Sequence, residues 1–417
     1  MLLKKAGSNW VAGDQFFDRE RDLEFLTERF EERAHTLLTA QRRMGKTSLV
    51  RELLRRLDEK ENFETIFVDL QDAETPADAI AEIAARSRSV QGAWFRIQSV
   101  FDNVLQGIAD RVDTVGVGDL RASLRAGMDA GNWQGKGDAL YAALAQNDRP
   151  VVLALDELSI LVNRLLKDSD YRITAQGKKA ADLFLSWLRK NGQEHRDRVC
   201  LIISGSVSLE PILRQAGLSS HANIFSPFHL KPWDEKTADR CLAELAQTYR
   251  LVLSPAVRKE MCRRLRCQIP HHVQLFFDNL DQYLRHRGRR RANLDDVKHV
   301  YEHVMLGPWG QPDLDHYETR LKMVLGIEGC RIALDLLTEA AVHDGRLLGD
   351  AIRRFKEIRP ATGMLGEISV EDTLRVLEHD GYLEVRENEY RFVSRLVEDW
   401  WRARHQKGFI PILERET

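Results

Sequence analysis

The stretch TAQRRMGKTSLV, residues 39–50, holds the residue types that bind phosphate. Gly45 permits close backbone approach to an anion, Lys46 offers a point charge suited to β- and γ-phosphates, and the Thr47 hydroxyl suits magnesium. Ala40, Arg43, Met44 and Ser48 complete the expected cradle, whose backbone N–H groups would point inward ahead of a helix N-terminus. Ala40 stands where this pattern has its first glycine. That costs something only if the position needs a positive φ. Alone, Gly45-Lys46-Thr47 also fits an ordinary lysine at a helix start.

A second group of residues closes VVLALDELSIL, residues 151–161, where a buried apolar run ends in Asp156-Glu157. A carboxylate pair at the end of a buried strand is expensive without a partner. Magnesium is such a partner, with Asp156 holding it through water, and Glu157 would then polarise an attacking water. The plainer reading makes Asp156 a helix N-cap. Third, VCLIISGSVSLEPIL, residues 199–213, ends its apolar run in Ser204-Gly205-Ser206. Ser206 is the first choice and Ser204 the second for a hydroxyl that holds water near the γ-phosphate; a serine-rich turn is the other reading.

These residues work only if strands and helices bring them together. TLLTA at 36–40 is short and β-prone, and SLVRELLRRL follows with Leu49, Leu53 and Leu57 every four residues, a helical stripe. The phosphate-type loop therefore lies between a strand and a helix. TIFV (65–68), VVLAL (151–155) and VCLII (199–203) are unbroken apolar runs separated by helical stretches, the pattern of a parallel sheet buried on both faces. The glycine-rich segment VGVGDLRASLRAGMDAGNWQGKGD reads as a loop or hairpin insertion. Beyond residue 230 the β signal fades, and helices open at Asp234 and Ser254, followed by VQLFFDNLDQYLRHR. From about 311, CRIALDLLTEAAV is helical, SVEDTLRVLEHDG has Ser369 as N-cap and Gly381 as stop, and YLEV-RENE-YRFV reads as a hairpin. Helices followed by a hairpin is the order of a winged helix. The expected division is a nucleotide-binding core at 1–230, a helical lid at 231–310 and a winged-helix domain at 311–417.

Composition sets the outer bounds. The 417 residues are 43% hydrophobic and 30% charged with net charge −2, so no global field draws the chain to nucleic acid or an anionic membrane. No run of 18 apolar residues suggests a membrane span. The start, MLLKKAGSNW, lacks the apolar stretch of a signal peptide, and a cytoplasmic location is expected. Five scattered cysteines fit buried thiols in a reducing compartment.

Several of these segments together resemble a known family. GDQFFDRERDLEFL (13–26), AQRRMGKTSLV, FVDLQDAET (67–75), ALDELSIL, IISGSVSLEPIL, CQIPHHVQLFF (267–277) and YRFVSRLVEDWW (390–401) resemble the archaeal-type P-loop ATPases of the AAA+ and STAND group, related to origin-recognition ATPases. The resemblance implies an α/β core with a parallel sheet of order 5-1-4-3-2, a helical lid and a C-terminal winged helix. It implies ATP and Mg²⁺ as cofactors and a slow ATPase that couples nucleotide state to movement of the winged helix, in DNA transactions, in defence against mobile DNA or in regulation of a partner. Asp18, Arg19 and Glu20 would lie near adenine, and Pro270 would pack against the base, although the usual Gly-x-Pro is here Gln268-Ile269-Pro270. Arg42 and Arg43 face either the γ-phosphate, a neighbouring subunit or solvent. Arg214 lies in the region of a trans-acting arginine.

Partners are less constrained. Arg285, Arg287, Arg289, Arg290 and Arg291 form a run that suits a duplex backbone, or a solvated helix end. Glu371, Asp372, Glu378 and Asp380 against a single Arg375 argue against base reading by the candidate recognition helix, which would instead pack on the ATPase core or hold a partner protein. A DNA-binding initiator or adaptor that holds nucleotide with little hydrolysis is the alternative function, and a homo-oligomeric ring or filament stays open.

Overall fold

The computed structural model describes residues 3–416 apart from 8, 106–115, 130, 206–208, 309, 311–312 and 360–367. Five strands, β1 (Thr36–Thr39), β2 (Glu64–Asp69), β3 (Val151–Asp156), β4 (Val199–Ser204) and β5 (Ser226–His229), form one sheet in the order β2-β3-β4-β1-β5. Every pair is parallel. This is the anticipated order 5-1-4-3-2 read from the opposite edge. Through the sheet region the chain forms α1 (Glu20–Glu31), α2 (Lys46–Glu59), α3 (Pro76–Arg86), α4 (Gln91–Val100), α5 (Asp102–Leu105), α6 (Val117–Ala126), α7 (Trp133–Ala145), α8 (Leu158–Leu166), α9 (Ala175–Glu194) and α10 (Leu209–Gln215).

The inner strands β3 and β4 are buried on both faces, which explains their unbroken apolar runs, whereas the edge strands β2 and β5 are partly exposed. Leu153, Leu155, Leu201 and Ile203 point into one core with helix residues such as Ile80, Leu140, Leu161 and Phe184. Val152, Ala154, Cys200 and Ile202 alternate with them and face a second core made with Leu23, Phe30, Leu49, Leu53 and Leu57. The leucine stripe after Lys46 is therefore what seats α2, and with it the phosphate-type loop, against the sheet.

The glycine-rich segment departs from its expectation. Its described residues, 116–129 and 131–138, form α6 and the start of α7 instead of a loop or hairpin. Leu120 and Leu124 lie one turn apart and are buried, as are Trp133 and Leu140, so apolar burial outweighs the roughly 1 kcal/mol helix penalty of each glycine. Gly137 also has a packing role. A Cβ there would meet the Trp187 ring at 2.6 Å.

Beyond the sheet lie α11 (Glu235–Tyr249), α12 (Pro255–Leu265), α13 (Pro270–His286) and α14 (Leu294–His299). Asp234 and Ser254 cap α11 and α12 by accepting from the Thr237 and Val257 N–H groups, as the sequence suggests. The C-terminal part contains α15 (Asp315–Val342), β6 (Arg346–Leu347), α16 (Gly349–Ile358), α17 (Val370–His379), β7 (Leu383–Arg386), β8 (Glu389–Phe392) and α18 (Arg395–His405). β6, β8 and β7 form a small antiparallel sheet. The β7–β8 turn places Glu387 and Asn388 at φ 53° and 64°, both left-handed, as a two-residue hairpin loop requires.

α15 is two helices joined at Gly326, whose φ of 69° and ψ of −171° are non-helical. The break frees carbonyls that the helix would otherwise use. Lys167 Nζ donates to the Met323 and Val324 carbonyls at 3.0 and 2.6 Å, and Asn163 Nδ2 donates to Met323 O at 3.2 Å. The first half of α15 is thus tied to α8 and its exit. Among the described residues no helix is long and apolar enough to cross a membrane.

Candidate functional site

The loop from β1 to α2 turns on two left-handed residues, Arg43 at φ 67° and Gly45 at φ 83°. Ala40 is not among the positive-φ residues, so alanine there carries no backbone strain. Lys46 Nζ donates to the carbonyls of Ala40 and Gln41 at 2.9 and 3.2 Å, which curls the loop around the ammonium group. One of its three N–H donors remains for a ligand. Burial, and then the positive charge of Arg320, pushes the Lys46 pKa down to about 8 against the pull of Glu157 and Asp156. Such a lysine is short of negative charge.

Asp156 is buried where β3 ends, and both its oxygens accept from hydroxyls. Thr47 Oγ1 donates to Oδ2 at 2.8 Å and Ser204 Oγ to Oδ1 at 2.6 Å. Parallel registry makes this possible, because β3 and β4 are neighbours and β1, which leads into the loop, lies next to β4. Thr47 and Asp156 offer hard oxygen donors side by side, a set that fits Mg²⁺. The next residue, Glu157, is the N-cap of α8 at φ 60°. A non-glycine residue held there is the kind of local strain found at functional sites. Ser204 therefore engages the acidic residue directly, whereas Ser206 lies outside the described residues.

Above these groups is a cavity of about 520 Å³. Arg42 to Ser48 and Glu157 form one wall, and Pro270, His271 and Gln274 of α13 form another. The N-terminal strap contributes Trp10, Phe16, Phe17 and Arg19, and the first half of α15 contributes Arg320 and Met323. The strap is held on the core side, where Val11 N donates to Ser48 Oγ at 3.0 Å and Gly13 N to Glu52 Oε2 at 2.7 Å. It is held on the α13 side by Lys5 Nζ, 2.6 Å from both Asp278 and Asp281, and by Ala6 N on Gln274 Oε1 at 2.9 Å. Burial, aided by Arg43, lowers the His271 and His272 pKa values to about 4 and about 3, leaving both neutral near pH 7. The positive charge at the cavity therefore comes from Lys46 and the arginines.

Sequence-based expectations for the site divide accordingly. Arg43, Met44, Gly45, Lys46, Thr47, Ser48, Arg19, Glu157 and Pro270 all line the cavity. Ala40 and Asp156 lie just behind it, on Lys46 and Thr47. Asp18 instead accepts from Arg240 of α11, and Glu20 pairs with Arg56 at 2.5 Å. Arg214 lines a different groove, between α10 and α17. In the arginine run, Arg285 pairs with Asp281 and Arg289 with Asp296, each at 2.7 Å, and Arg287 lies over the Tyr283 ring. Asp380 corrects the reading of α17 as an open acidic face. It is buried and pairs with Arg320, because Gly381 turns the chain there onto the phosphate-type loop. Reasoning from the sequence missed Arg320, Met323, Gln274, Trp10 and Trp233 as cavity residues. No spacing rule links them to the loop. The aromatic residues of the strap were the only available signal.

A cavity at the carboxyl ends of parallel strands, with a Lys-Thr loop and an Asp-Glu strand end meeting below it, has the architecture of a P-loop ATPase fold. Consistently, residues 28–213 match the family model of the AAA domain. The whole fold is similar to that of the Walker-type ATPase of Pyrococcus abyssi, at 19% identity and TM-score 0.57 over 94% of this chain and 98% of that one. It is also similar to the ORC2 protein of Aeropyrum pernix, solved as ADPNP–ADP complexes, at 14% identity and TM-score 0.54 over 96% and 98% of the two chains. At these identities the likeness concerns the fold. No curated protein sequence matches the chain.

Proposed function

We propose that the chain is an ATP-binding, slowly hydrolysing switch in which nucleotide state biases the contact between the core and the C-terminal winged-helix-like part. The observation that carries this reading is the meeting of the two motifs, with Thr47 Oγ1 2.8 Å from Asp156 Oδ2 beneath a cavity lined by Lys46 and Glu157. The α2 N-terminus and loop N–H groups would cradle the phosphates, Lys46 would neutralise them, and Thr47 and Asp156 would hold Mg²⁺. That ion supplies charge compensation on the phosphate oxygens when bound. Glu157 would orient and deprotonate the attacking water, and Ser204 fixes the carboxylate of Asp156. Pro270 and the strap residues Trp10, Phe16, Phe17 and Arg19 would enclose the base and sugar, in the manner that AAA-type resemblance suggests.

The C-terminal part is well placed to sense the ligand. Gln41, inside the loop, donates from Nε2 to Gly381 O at 2.8 Å, and His379 lies 2.6 Å from Glu210 of α10. The order of helices, β6 and the β7–β8 hairpin supports the winged-helix assignment. The exposed Glu371 and Glu378 of α17 weigh against a duplex there. The ion pairs of Arg285 and Arg289 reduce the free charge that a duplex would need. Equilibrium binding with Lys46→Ala tests the nucleotide reading. The variant is expected to lose affinity for ATP by about 10–100-fold, the scale of one charge-assisted contact to phosphate. Equal binding by the variant and the parent chain would refute the assignment.

A further inference from the structure

The helix that follows Glu157 carries two polar residues that the phosphate site does not use. α8 runs inside the core, with Leu158, Leu161, Val162 and Leu166 fully buried. The hydrophobic effect that buries them is non-directional and does little to fix the helix along its own axis. Hydrogen bonds are directional and do so. On one side Arg164 donates to Ala73 O at 3.1 Å. On the other, Asn163 Nδ2 and Lys167 Nζ both donate to Met323 O, at 3.2 and 3.0 Å, and Lys167 also reaches Val324 O at 2.6 Å.

Both residues are costly where they stand. Asn163 is 3% exposed, and its Oδ1 has no donor among the described residues. Lys167 is partly buried, and burial pushes its pKa down to about 8 with no carboxylate pulling it back. An apolar side chain at either position would avoid this desolvation. The pair instead holds carbonyls that are free to accept only because α15 breaks at Gly326. The route from there to the site is short. Met323 lines the cavity, its carbonyl holds α8, and α8 starts from Glu157, which lines the same cavity. Glu157 stands at φ 60°, so its surroundings and not its own preference set its backbone. Lys167 lies ten residues of helix away, roughly 15 Å.

We infer that Asn163 and Lys167 are positioning residues for Glu157, through which the first half of α15 sets the rate of hydrolysis without setting ATP affinity. The inference rests on the reading of the cavity as an ATPase site. ATP binding draws on the loop, Lys46 and the strap. Water activation draws on where Glu157 stands, and a displacement of about 1 Å can cost on the order of 100-fold. Hydrolysis therefore requires the C-terminal part to be seated on α8, whereas binding does not.

Single-turnover phosphate release by the full chain at saturating ATP and Mg²⁺, with affinity from calorimetry, tests this. Lys167→Met keeps the stem and removes the charge and the donors. It is expected to slow release by about tenfold or more while the ATP dissociation constant changes by less than about threefold. Leu321, Val324 and Leu325 remain packed in that variant and keep Met323 in the cavity wall. Lys167→Arg restores donors and is expected to recover most of the rate. In a Glu157→Gln background Lys167→Met should add no further loss, since the two residues act on one step. Asn163→Leu should act in the same direction as Lys167→Met, and replaces it if that variant melts below the assay temperature. A variant that melts lower but releases phosphate at the parent rate overturns the positioning role, as does a loss that multiplies with that of Glu157→Gln. If Glu157→Gln itself matches the parent chain, or the parent chain binds no ATP, the ATPase reading fails first, and this inference with it.

Discussion

At the residue scale, Lys46 links structure to a measurable pH dependence. Its folded pKa, about 8, lies below the ordinary 10.5, chiefly through burial and then through Arg320. The unfolded chain therefore binds the extra proton between those two values, and ligand-free stability should rise as pH rises through that window. Nucleotide affinity should move the other way, because phosphate binds the charged form. Affinity is expected to hold below about pH 8 and to fall above it, with about half a proton taken up per ATP bound near that pH and an uptake approaching one above it. Titration in buffers of different ionisation enthalpy would show this, and a flat profile from pH 7 to 10 would count against Lys46 as a phosphate contact. This part of the site was legible because its chemistry is contiguous: Gly45-Lys46-Thr47 opens α2, and Asp156-Glu157 joins the end of β3 to α8. Ala40 was the doubtful letter, and the loop places its positive φ at Arg43 and Gly45 instead. Arg320 was illegible because it reaches the cavity only when α15 folds back over the loop.

At the element scale, the break in α15 positions that helix. Gly326 has φ and ψ values open essentially to glycine, and a Cβ there would lie 3.1 Å from Tyr171 O. Gly326→Ala is expected to cost about 1–3 kcal/mol in a denaturant melt. It should also lower ATP affinity by shifting Arg320 and Met323, while a change within error would mean the break is tolerant. Helices and buried strands followed from periodicity: the stripe Leu49, Leu53, Leu57 and the three unbroken apolar runs all survive in the fold. α6 and the start of α7 did not, because glycine content masked Leu120, Leu124 and Trp133, whose burial decides the local structure. β5, with the sequence SPFH, has no apolar run to announce it and exists through its pairing with β1.

At the scale of the whole molecule, the C-terminal part is tied to the core by Gln41 on Gly381, by His379 on Glu210 and by Asn163 and Lys167 on α15, and both share one apolar cluster. Burial lowers the His379 pKa, but the hydrogen bond to Glu210 and the nearby Asp380 raise it on balance, while His379 holds the Glu210 pKa down. The raised histidine stabilises this contact below its ordinary pKa near 6.5 and ceases to do so as pH rises through the folded value. The depressed carboxylate contributes above its ordinary 4.5 and loses its effect as pH falls through the folded value. The contact is therefore firmest between those two ordinary values. Hydrogen exchange over α17 should be slowest near pH 5.5–6.5 after correction for intrinsic rates, and His379→Ala should remove that dependence. Gly381→Ala should loosen the same junction, since its φ is +74° and a Cβ would run into the Gln41 side chain at 1.9 Å.

The central claim is that Lys46, Thr47, Asp156 and Glu157 enclose a Mg²⁺-triphosphate and hydrolyse it. The most direct measurement is single-turnover phosphate release from ATP by the full chain and by Glu157→Gln, at enzyme concentrations where calorimetry shows both saturated. The geometry predicts slow release by the parent chain and a loss of about a hundredfold or more in the variant at unchanged ATP affinity, the scale of a missing general base. Equal release rates in the two proteins, or failure of the parent chain to bind ATP at all, would contradict it.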